Sequence, residues 1–423
     1  MPVRVRSSEY ERTSRNLYSA LSAKIEVLKS ICSGKGKSMS KLIEEAVRRE
    51  AALHSVVRVG VDLAKQVIQV HAVDRAGKVV VSRAMARDRF AGWCAALPRG
   101  CMVAMEACGG AHHWARRLRL LGLEVRLVAG AFVTPYRMAG KRGKNDANDA
   151  AAICEAASRP HMRFVAVKSA EQQGWLAVHR LREGFKEERT ACINRIRGLL
   201  AEFGLVFGQR PEVLRAALPE VLEDGSNELA GVARLGLQRA LQHWIELDEQ
   251  LAWCDERIAL HARQDAKAKA IMALPGLGPI TASALVASVG EFGQFDSARQ
   301  FGAWLGLTPS QNSSGGKTSL GGVSKRGDTY LRTLLVQAAR SAVQTAQRRA
   351  DRLSRWVLAL RERRGWQTAC VALANKNARI VWAILTRGEC FDAEHVPEPP
   401  APKRPKAGTV GATKATTLLP APT

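Results

Sequence analysis

The sequence predicts an α/β plus α protein: an N-terminal domain with a ribonuclease-H-like sheet, a helical or coiled-coil middle, and a mostly helical C-terminal domain. Three observations support this fold class. Short β-rich segments alternate with helical ones over 56–165. Helical periodicity with few strand signals marks 171–265, within a helical region predicted at 166–265. Two helices joined by a Pro-Gly-Leu-Gly turn lie near the start of the C-terminal domain, 266–392. The flanking segments 1–55 and 393–423 are predicted to be an N-terminal extension and a disordered tail.

The N-terminal domain is predicted from the order of its segments. Three β-rich segments, 56–63, 66–73 and 78–85, come first. The later elements are a helix at 87–97, a strand at 101–107, a helix at 111–121, a strand at 123–128 and a helix at 146–157. This order matches a ribonuclease-H-like sheet, in which three antiparallel strands lie beside parallel ones. One further helix is predicted at 38–53, in the N-terminal extension.

Two helical patterns follow the predicted sheet. The segments 176–203 and 235–261 are typical of a helical hairpin or coiled coil. Such a pair either joins two copies of the chain or spaces two domains, and ordinary helical packing is the alternative. The segment 271–292 predicts a helix, a turn and a second helix. This pattern resembles a helix-hairpin-helix, where Gly276 and Gly278 would let backbone N–H groups contact a phosphate. Glycines that serve packing alone are the alternative.

The charge of the chain indicates what it binds. Its 423 residues include 64 Lys and Arg against 39 Asp and Glu, a net charge of +25, which predicts a polyanionic partner, most commonly nucleic acid. No apolar run is long enough to span a membrane, and the start lacks an apolar signal-peptide core. Nine scattered cysteines without zinc spacing favour reduced thiols and no structural zinc. We therefore expect a cytoplasmic protein that associates with the nucleoid when it acts.

Four acidic residues are candidates for a metal site. Asp62 lies inside the first β-rich segment, Glu106 ends an apolar strand, and Asp146 and Asp149 share one face of the helix at 146–157. An unpaired acid within an apolar strand is costly, whereas clustered carboxylates suit Mg²⁺ or Mn²⁺ and phosphodiester chemistry. The pattern predicts a divalent-metal site. The alternative is solvated strand-end acids plus an Asp pair that favours the helix dipole.

Positive residues precede the Asp pair. The segment 137–144, RMAGKRGK, contains four positive residues and no acid. We predict that it contacts a phosphate backbone through Lys141, Arg142 and Lys144. A solvated loop is the alternative interpretation.

A polar, glycine-rich loop is predicted within 301–332. It contains the doublet Ser313 and Ser314, and a serine among cations is a candidate nucleophile on phosphorus. The same composition is also common in linkers. The cations predicted to bind phosphate here are Lys317, Lys325, Arg326 and Arg332. The segment 348–364 adds seven arginines against two acids, which predicts a basic helix face.

Five motifs, in this order, resemble the IS110-type transposases of bacterial insertion sequences, and most closely the IS1111 branch. They are VGVDLAK, MEACGGAHHWARRL, KRGKNDANDAAAICEA, LPGLGPITA and LTPSQNSSGGKTSLGGVSKRGDTYLR, and the resemblance covers about residues 56–390. It implies a RuvC-like domain with an Asp-Glu-Asp-Asp (DEDD) set, then a coiled-coil region and a C-terminal transposase domain. The residues that match the acidic set are Asp62, Glu106, Asp146 and Asp149, and Ser314 matches the serine of an SG motif.

The resemblance also implies a mechanism and partners. Such a recombinase is guided by a structured non-coding RNA, encoded in the element, that pairs with donor and target DNA. Its serine attacks DNA, its acidic site binds Mg²⁺, and the two meet between subunits of a tetramer, so a homo-oligomer is implied. The doublet leaves Ser313 as the alternative to Ser314. Two other functions stay open: a Holliday-junction nuclease that uses only the carboxylates and water, and a non-catalytic RNA- or DNA-binding protein.

Overall fold

The structure, a computed structural model, describes residues 51–137, 145–315 and 317–395. Several predictions fall on other residues: most of the N-terminal extension, most of the tail, and Lys141, Arg142 and Lys144 lie outside the described residues. Of the helix predicted at 38–53, only 51–53 are described, and these three residues are helical.

The chain divides into two compact units. As far as it is described, unit 1 lies within Met1–Leu260 and Ser283–Gln294, and unit 2 lies within His261–Ala282 and Phe295–Thr423. Unit 1 contains the predicted acidic residues, and unit 2 contains Ser314. The domain boundaries predicted at 165 and 265 stay predictions.

Unit 1 is built on a six-stranded mixed sheet with the order β3-β2-β1-β4-β5-β6. The strands are β1 (Arg58–Leu63), β2 (Val67–Val73), β3 (Val79–Ala86), β4 (Met102–Glu106), β5 (Glu124–Val128) and β6 (Phe164–Val165). β1, β2 and β3 pair antiparallel, whereas β4 and β5 continue the sheet in parallel. The predicted mixed α/β sheet is confirmed. β6 was not predicted, because two residues are too few to show an alternating pattern.

Helices cover both faces of this sheet. They are α1 (Arg87–Ala95), α2 (Ala111–Leu120), the short α3 (Gly130–Val133) and α4 (Asp146–Ala157). Phe90 of α1 and Trp114 of α2 meet edge to face, with centroids 4.9 Å apart, in the larger cluster of buried residues. Ile153 of α4 belongs to a second cluster, together with Ala104 of β4. Successive strand residues therefore face α1 and α2 on one side and α4 on the other.

Two long helices, α5 (Ala170–Ala201) and α7 (Gly231–Gln264), confirm the predicted helical middle, with α6 (Pro211–Glu223) between them. Arg182 of α5 forms an ion pair with Asp255 of α7 at 2.5 Å, and Arg189 forms one with Asp248. The residue later in α5 pairs with the residue earlier in α7, so the two helices run antiparallel. Trp244 is buried between them and α6, in one core with Leu200, Leu214 and Leu218.

Unit 2 is mostly helical, as predicted. Its elements are α8 (Ala266–Met272), α9 (Pro279–Val289), α10 (Ala298–Trp304), β7 (Pro309–Ser314), β8 (Lys317–Val323), α11 (Thr329–Thr345), α12 (Arg352–Arg364) and α13 (Trp366–Arg387). Of these, α9 is divided between the two units after Ala282. Within the described residues, no helix combines the length and the apolar character needed to cross a membrane.

The glycine-rich segment of unit 2 differs from the prediction. Instead of a loop, β7 and β8 form a two-stranded antiparallel hairpin, which we call the serine hairpin. Every residue of β7 and every residue of β8 except Val323 is exposed. Backbone hydrogen bonds hold these strands together without a buried apolar face, which explains why no apolar alternation marks them in the sequence.

Candidate functional site

Asp62 is placed beside α4 by the close packing of β1 against this helix. A Cβ atom at Gly60 would lie 2.1 Å from the carbonyl oxygen of Ala150 and 2.5 Å from the amide nitrogen of Cys154. Only glycine therefore lets the helix approach the strand this closely. Asp62 lies two residues further along β1, on the same face as Gly60. The strand thus carries Asp62 to the side of the sheet on which α4 begins, at Asp146.

Glu106 reaches the same edge of the sheet from β4. β1 and β4 are parallel, their last paired residues are Val61 and Met105, and Asp62 and Glu106 each follow one residue later. Gly130 lies against the Glu106 carboxylate, because a Cβ atom there would stand 2.5 Å from Oε1. The strand register and this close contact together hold Glu106 next to Asp62.

Asp146 and Asp149 lie in the first turn of α4. The Asn145 side chain caps the helix and accepts a hydrogen bond from the amide of Asn148 at 2.8 Å. Asp146 is exposed and Asp149 is half-buried. Negative charge is favourable at a helix N-terminus, so the two aspartates can be held there without a bound cation.

The four acidic residues form one electrostatic group, which we call the carboxylate cluster. Burial raises the pKa of Asp62 above its ordinary value, and the charges of Asp149, Asp146 and Glu106 raise it further. The positive charge of Arg137 acts in the opposite direction on the same pKa. The structure thus brings the four acids predicted from the sequence within electrostatic reach of one another.

Arg137 lies among these carboxylates, and the sequence did not single it out. Its Nη2 donates a hydrogen bond to Glu106 Oε2 at 2.8 Å. Its Nε lies 2.8 Å from Asp149 Oδ1, but the N–H is not aligned for a hydrogen bond, so this contact is ionic. The one feature of the sequence that marks Arg137 is its position at the start of the basic segment 137–144, which was predicted to contact a phosphate backbone.

The cluster has the donor chemistry of a divalent-metal site. Its side chains offer hard carboxylate oxygens, which Mg²⁺ and Mn²⁺ prefer. Burial is the main cause of the raised pKa of Asp62, and the three neighbouring carboxylates add to it. In the described part of the chain, no three Asp, Glu, His or Cys side chains stand close enough to hold a metal ion. The chemistry of the donor set fits such an ion, and Arg137 occupies one oxygen each of Glu106 and Asp149 in this arrangement.

The serine hairpin separates the two serines of the doublet. Ser313 is paired with Thr318 and Ser314 with Lys317, so the two serines point to opposite faces. Ser313 Oγ accepts a hydrogen bond from Gln311 Nε2 at 2.8 Å. The Ser314 hydroxyl makes no hydrogen bond with any described residue. Ser314 is thus the serine with an available hydroxyl and a cross-strand lysine.

Three of the four cations predicted near the serines are exposed: Lys317, Lys325 and Arg326. The fourth, Arg332, is half-buried and its guanidinium is already used. It donates to the backbone oxygens of Gly327 at 3.2 Å and Leu305 at 3.4 Å. Arg332 therefore ties together the segments at the base of the hairpin. Its phosphate contact stays a prediction.

The two glycines of the predicted helix-hairpin-helix differ in their surroundings. Gly276 has a φ of +84°, and a Cβ atom there would lie 2.1 Å from the carbonyl oxygen of Ala338. Its lack of a side chain therefore serves the turn and the packing against α11. No described atom crowds the Cβ position of Gly278. Phosphate contact stays a prediction for both glycines.

Comparison with known families gives two matches along the chain. The family model DEDD_Tnp_IS110, described as "Transposase", matches residues 59–204, which include the carboxylate cluster. The model described as "Transposase IS116/IS110/IS902 family" matches residues 268–354, which include the serine hairpin.

Curated relatives match most of the chain. A "Probable family 20 transposase" of Pseudomonas aeruginosa is 50% identical over 337 residues, which are 79% of this chain and 98% of the relative. The "Transposase for insertion sequence element IS1111A" of Coxiella burnetii is 41% identical over 81% of this chain and 93% of its own length. The "Transposase for insertion sequence element IS1328" of Yersinia enterocolitica is 38% identical over 80% and 99%.

A mixed sheet with a DEDD cluster, inside a segment that matches a DEDD transposase model, defines the class: a transposase whose acidic domain is that of a metal-dependent nuclease. The chain belongs to the IS116/IS110/IS902 family of transposases, and the resemblance predicted from its motifs is confirmed. It is therefore an enzyme that acts on DNA, and the use of a divalent metal follows from its DEDD domain.

Proposed function

We propose that this transposase cuts and rejoins DNA with two different groups: a divalent metal ion, Mg²⁺ or Mn²⁺, held by the carboxylate cluster, and the hydroxyl of Ser314. The observation that carries the proposal is the difference within the doublet. Ser314 has no hydrogen-bond partner among the described residues and lies across from Lys317, whereas Ser313 is engaged by Gln311. The residues proposed to hold the metal are Asp62, Glu106, Asp146 and Asp149.

In the proposed reaction one phosphate ester bond is exchanged for another, so the number of such bonds stays the same. Ser314 Oγ forms a bond to phosphorus while one P–O bond of the DNA breaks, the serine proton passes to solvent, and the departing DNA oxygen takes up a proton. The resulting serine–DNA ester retains the energy needed for rejoining, because a second DNA hydroxyl can displace the serine. The bound metal would stabilise negative charge on the phosphate oxygens.

Lys317 is the residue best placed to assist Ser314. It lies directly across the hairpin, on the same face, and it is exposed. An ammonium there would hold a phosphate oxygen near the serine and stabilise the charge that develops during attack. Lys325 and Arg326, also exposed, would bind neighbouring phosphates.

The partners proposed beyond DNA are an element-encoded non-coding RNA and further copies of the chain. Both follow from the family, and the net charge of +25 supports binding to more than one nucleic-acid strand. An oligomer would let one DNA strand meet a carboxylate cluster and a serine hairpin from different copies. Mixing an Asp62→Asn chain with a Ser314→Ala chain tests this, because recovery of recombination requires that copies share one reaction.

The serine assignment is tested by trapping the covalent ester. The reaction is stopped with denaturant, the protein is digested, and the DNA-modified peptide is identified by mass spectrometry. The adduct should map to Ser314, disappear in Ser314→Ala, and persist in the matched variant Ser313→Ala.

The opposite pattern of loss between the two variants would assign the attack to Ser313. Cleavage by the active protein without any adduct would support hydrolysis by the carboxylates alone, as in a Holliday-junction nuclease. If neither cleavage nor an adduct is seen while nucleic acid binds tightly, the chain is a binding protein.

A further inference from the structure

A guanidinium joins two of the four carboxylates of the cluster. Arg137 follows a short turn of 3₁₀ helix, Thr134–Tyr136, and reaches Glu106 with Nη2 and Asp149 with Nε, both at 2.8 Å. Glu106 ends β4 and Asp149 lies in α4, so this one side chain links a strand and a helix of the proposed metal site.

The contact is of a kind that can be exchanged. Only the Nη2 contact is an aligned hydrogen bond, and the Nε contact is ionic. The Arg137 side chain is 37% exposed, so its guanidinium can turn to solvent without opening the core. The side chains of Glu106 and Asp149, in contrast, are only 27% and 19% exposed, and they project from β4 and α4.

We propose that Arg137 is the internal counter-ion of the DEDD site: a positioning residue that holds Glu106 and Asp149 before the metal binds and then passes to a DNA phosphate. The inference rests on the proposed function, since it assumes that the carboxylate cluster is the metal site. It goes beyond that function by coupling metal binding to DNA binding through one side chain.

The competition follows from distance and charge. Mg²⁺ takes oxygen ligands at about 2.0–2.1 Å, whereas the oxygens of Glu106 and Asp149 lie 2.8 Å from guanidinium nitrogens. A cation at Glu106 Oε2 and Asp149 Oδ1 would be repelled by the guanidinium, so Arg137 must leave before these two oxygens can become metal ligands. The metal affinity of the free protein is lowered by the strength of this contact.

DNA supplies the alternative anion. A guanidinium binds phosphate with the same fork geometry that it offers to a carboxylate, and Arg137 begins the basic segment RMAGKRGK. A phosphate that accepts Arg137 releases Glu106 and Asp149 for the metal. By linkage, metal and DNA then strengthen each other's binding by the same factor. The metal site would thus gain its full set of carboxylate ligands only when DNA is bound.

The test is direct Mn²⁺ binding to the full-length chain, followed by the electron paramagnetic resonance signal of free Mn²⁺, with and without a short duplex. Without DNA, Arg137→Gln should bind Mn²⁺ about tenfold more tightly than the wild type, a typical size for such coupling. Duplex DNA should raise the Mn²⁺ affinity of the wild type and change that of the variant little. Arg137→Lys should fall between, because an ammonium cannot bridge two carboxylates as a guanidinium does.

Arg126→Gln is the matched control. Arg126 pairs with Glu124 on β5, the strand next to β4, at 2.6 Å, so this variant removes the same charge from unit 1 outside the cluster. Its Mn²⁺ affinity should equal that of the wild type. Urea unfolding of each variant verifies that unit 1 is intact.

Failure of this inference can be told apart from failure of the proposed function. If Asp62→Asn weakens Mn²⁺ binding but Arg137→Gln binds no more tightly than the wild type, the metal site stands and the role of Arg137 is wrong. If Asp62→Asn leaves Mn²⁺ binding unchanged in every background, the cluster is not the metal site and both ideas fail.

Discussion

The carboxylate cluster and the serine hairpin are built in opposite ways. A Cβ atom at Gly60 would meet the backbone of Ala150 and Cys154, so the close packing of α4 against β1 positions the acidic residues that these two elements carry. The serine hairpin has no buried face, and backbone pairing with a few polar contacts holds it. A lone two-stranded hairpin is marginally stable in water. The acids of β1 and α4 are therefore positioned by packing, whereas no buried core holds Ser314 in place.

This contrast predicts different responses to mutation. Changes around the carboxylate cluster should alter the stability of unit 1 as well as activity, because the same contacts serve both. Changes in the serine hairpin should alter activity and leave the free energy of unfolding nearly unchanged. The predictions below are ordered from the largest expected effect to the smallest.

The largest effect is expected for Asp62→Asn. Loss of one proposed metal ligand should lower DNA cleavage by about a thousandfold, because metal stabilisation of the transition state is worth several kcal/mol. DNA affinity should stay near that of the wild type, since the basic surfaces are unchanged. Cleavage assays and binding measurements on the same preparation give both values.

The same variant should gain stability without metal. Since the pKa of Asp62 is raised in the folded protein, its ionised form is disfavoured there, and at neutral pH this charge opposes folding. Asp62→Asn should therefore raise the urea midpoint of unfolding. The control for the cleavage prediction is Glu124→Gln, which removes a carboxylate outside the cluster and should leave DNA cleavage at the wild-type rate. Wild-type cleavage by Asp62→Asn would break the metal assignment.

The second prediction concerns Gly60. A methyl group there would meet the backbone of Ala150 and Cys154, so Gly60→Ala should lower the free energy of unfolding by about 1–3 kcal/mol, as for other overpacked cores. Its control is Gly322→Ala in β8, where no described atom lies within 4 Å of the added Cβ. That variant should stay within about 0.5 kcal/mol of the wild type. Equal urea midpoints for the two variants would contradict the contrast between the regions.

The carboxylate cluster could be predicted from the sequence because its positions follow from strand parity. Alternation along β1 and β4 places Asp62 with Gly60 and Glu106 with Ala104, on the face that α4 covers. The i, i+3 spacing then orients Asp146 and Asp149. The contacts of Arg137 with Glu106 and Asp149 could not be predicted from the sequence, because they depend on the path of the chain after α3 and no local pattern marks them.

The serine hairpin was missed for a different reason. Polar and glycine residues without apolar alternation are typical of loops, and here the strands are held mainly by backbone pairing. One signal was available: the dipeptide Gly315-Gly316 between two short segments is typical of a two-residue hairpin turn. The role of Arg332 could not be predicted, because its acceptors are backbone carbonyls brought close only by folding.

The third prediction separates two cations of unit 2. Lys317→Ala should weaken DNA binding and reduce the slope of log affinity against log salt by about 0.9, the effect of one lost phosphate contact. Arg332→Ala should leave that slope unchanged but cost about 1–3 kcal/mol of stability, because two backbone oxygens lose their donor. Salt titrations of duplex binding, together with unfolding curves, distinguish the two. A reduced slope in Arg332→Ala would show that Arg332 also contacts phosphate.

The smallest expected effect is a pH dependence confined to unit 1. Burial, together with the charges of Lys168 and Arg116, lowers the pKa of His112 from 6.5 to about 4. The Nδ1 atom of His112 accepts a hydrogen bond from the amide of Lys168 at 3.2 Å, which protonation would break. The contact joins α2 to the segment that leads into α5.

Protonation of His112 should lower the stability of the folded protein. Because the folded-state pKa lies below the unfolded value, the unfolded chain binds the extra proton between these two pKa values, and stability falls as the pH drops from about 6.5 toward 4. The half-exposed position of His112 limits the loss to about 1 kcal/mol or less, since solvent screens its charge. In His112→Gln this part of the pH dependence should vanish, so the stability difference from the wild type should be constant above pH 6.5 and shrink below it. Urea unfolding at several pH values measures this difference, and parallel curves for the two proteins would show that His112 does not link the stability of unit 1 to pH.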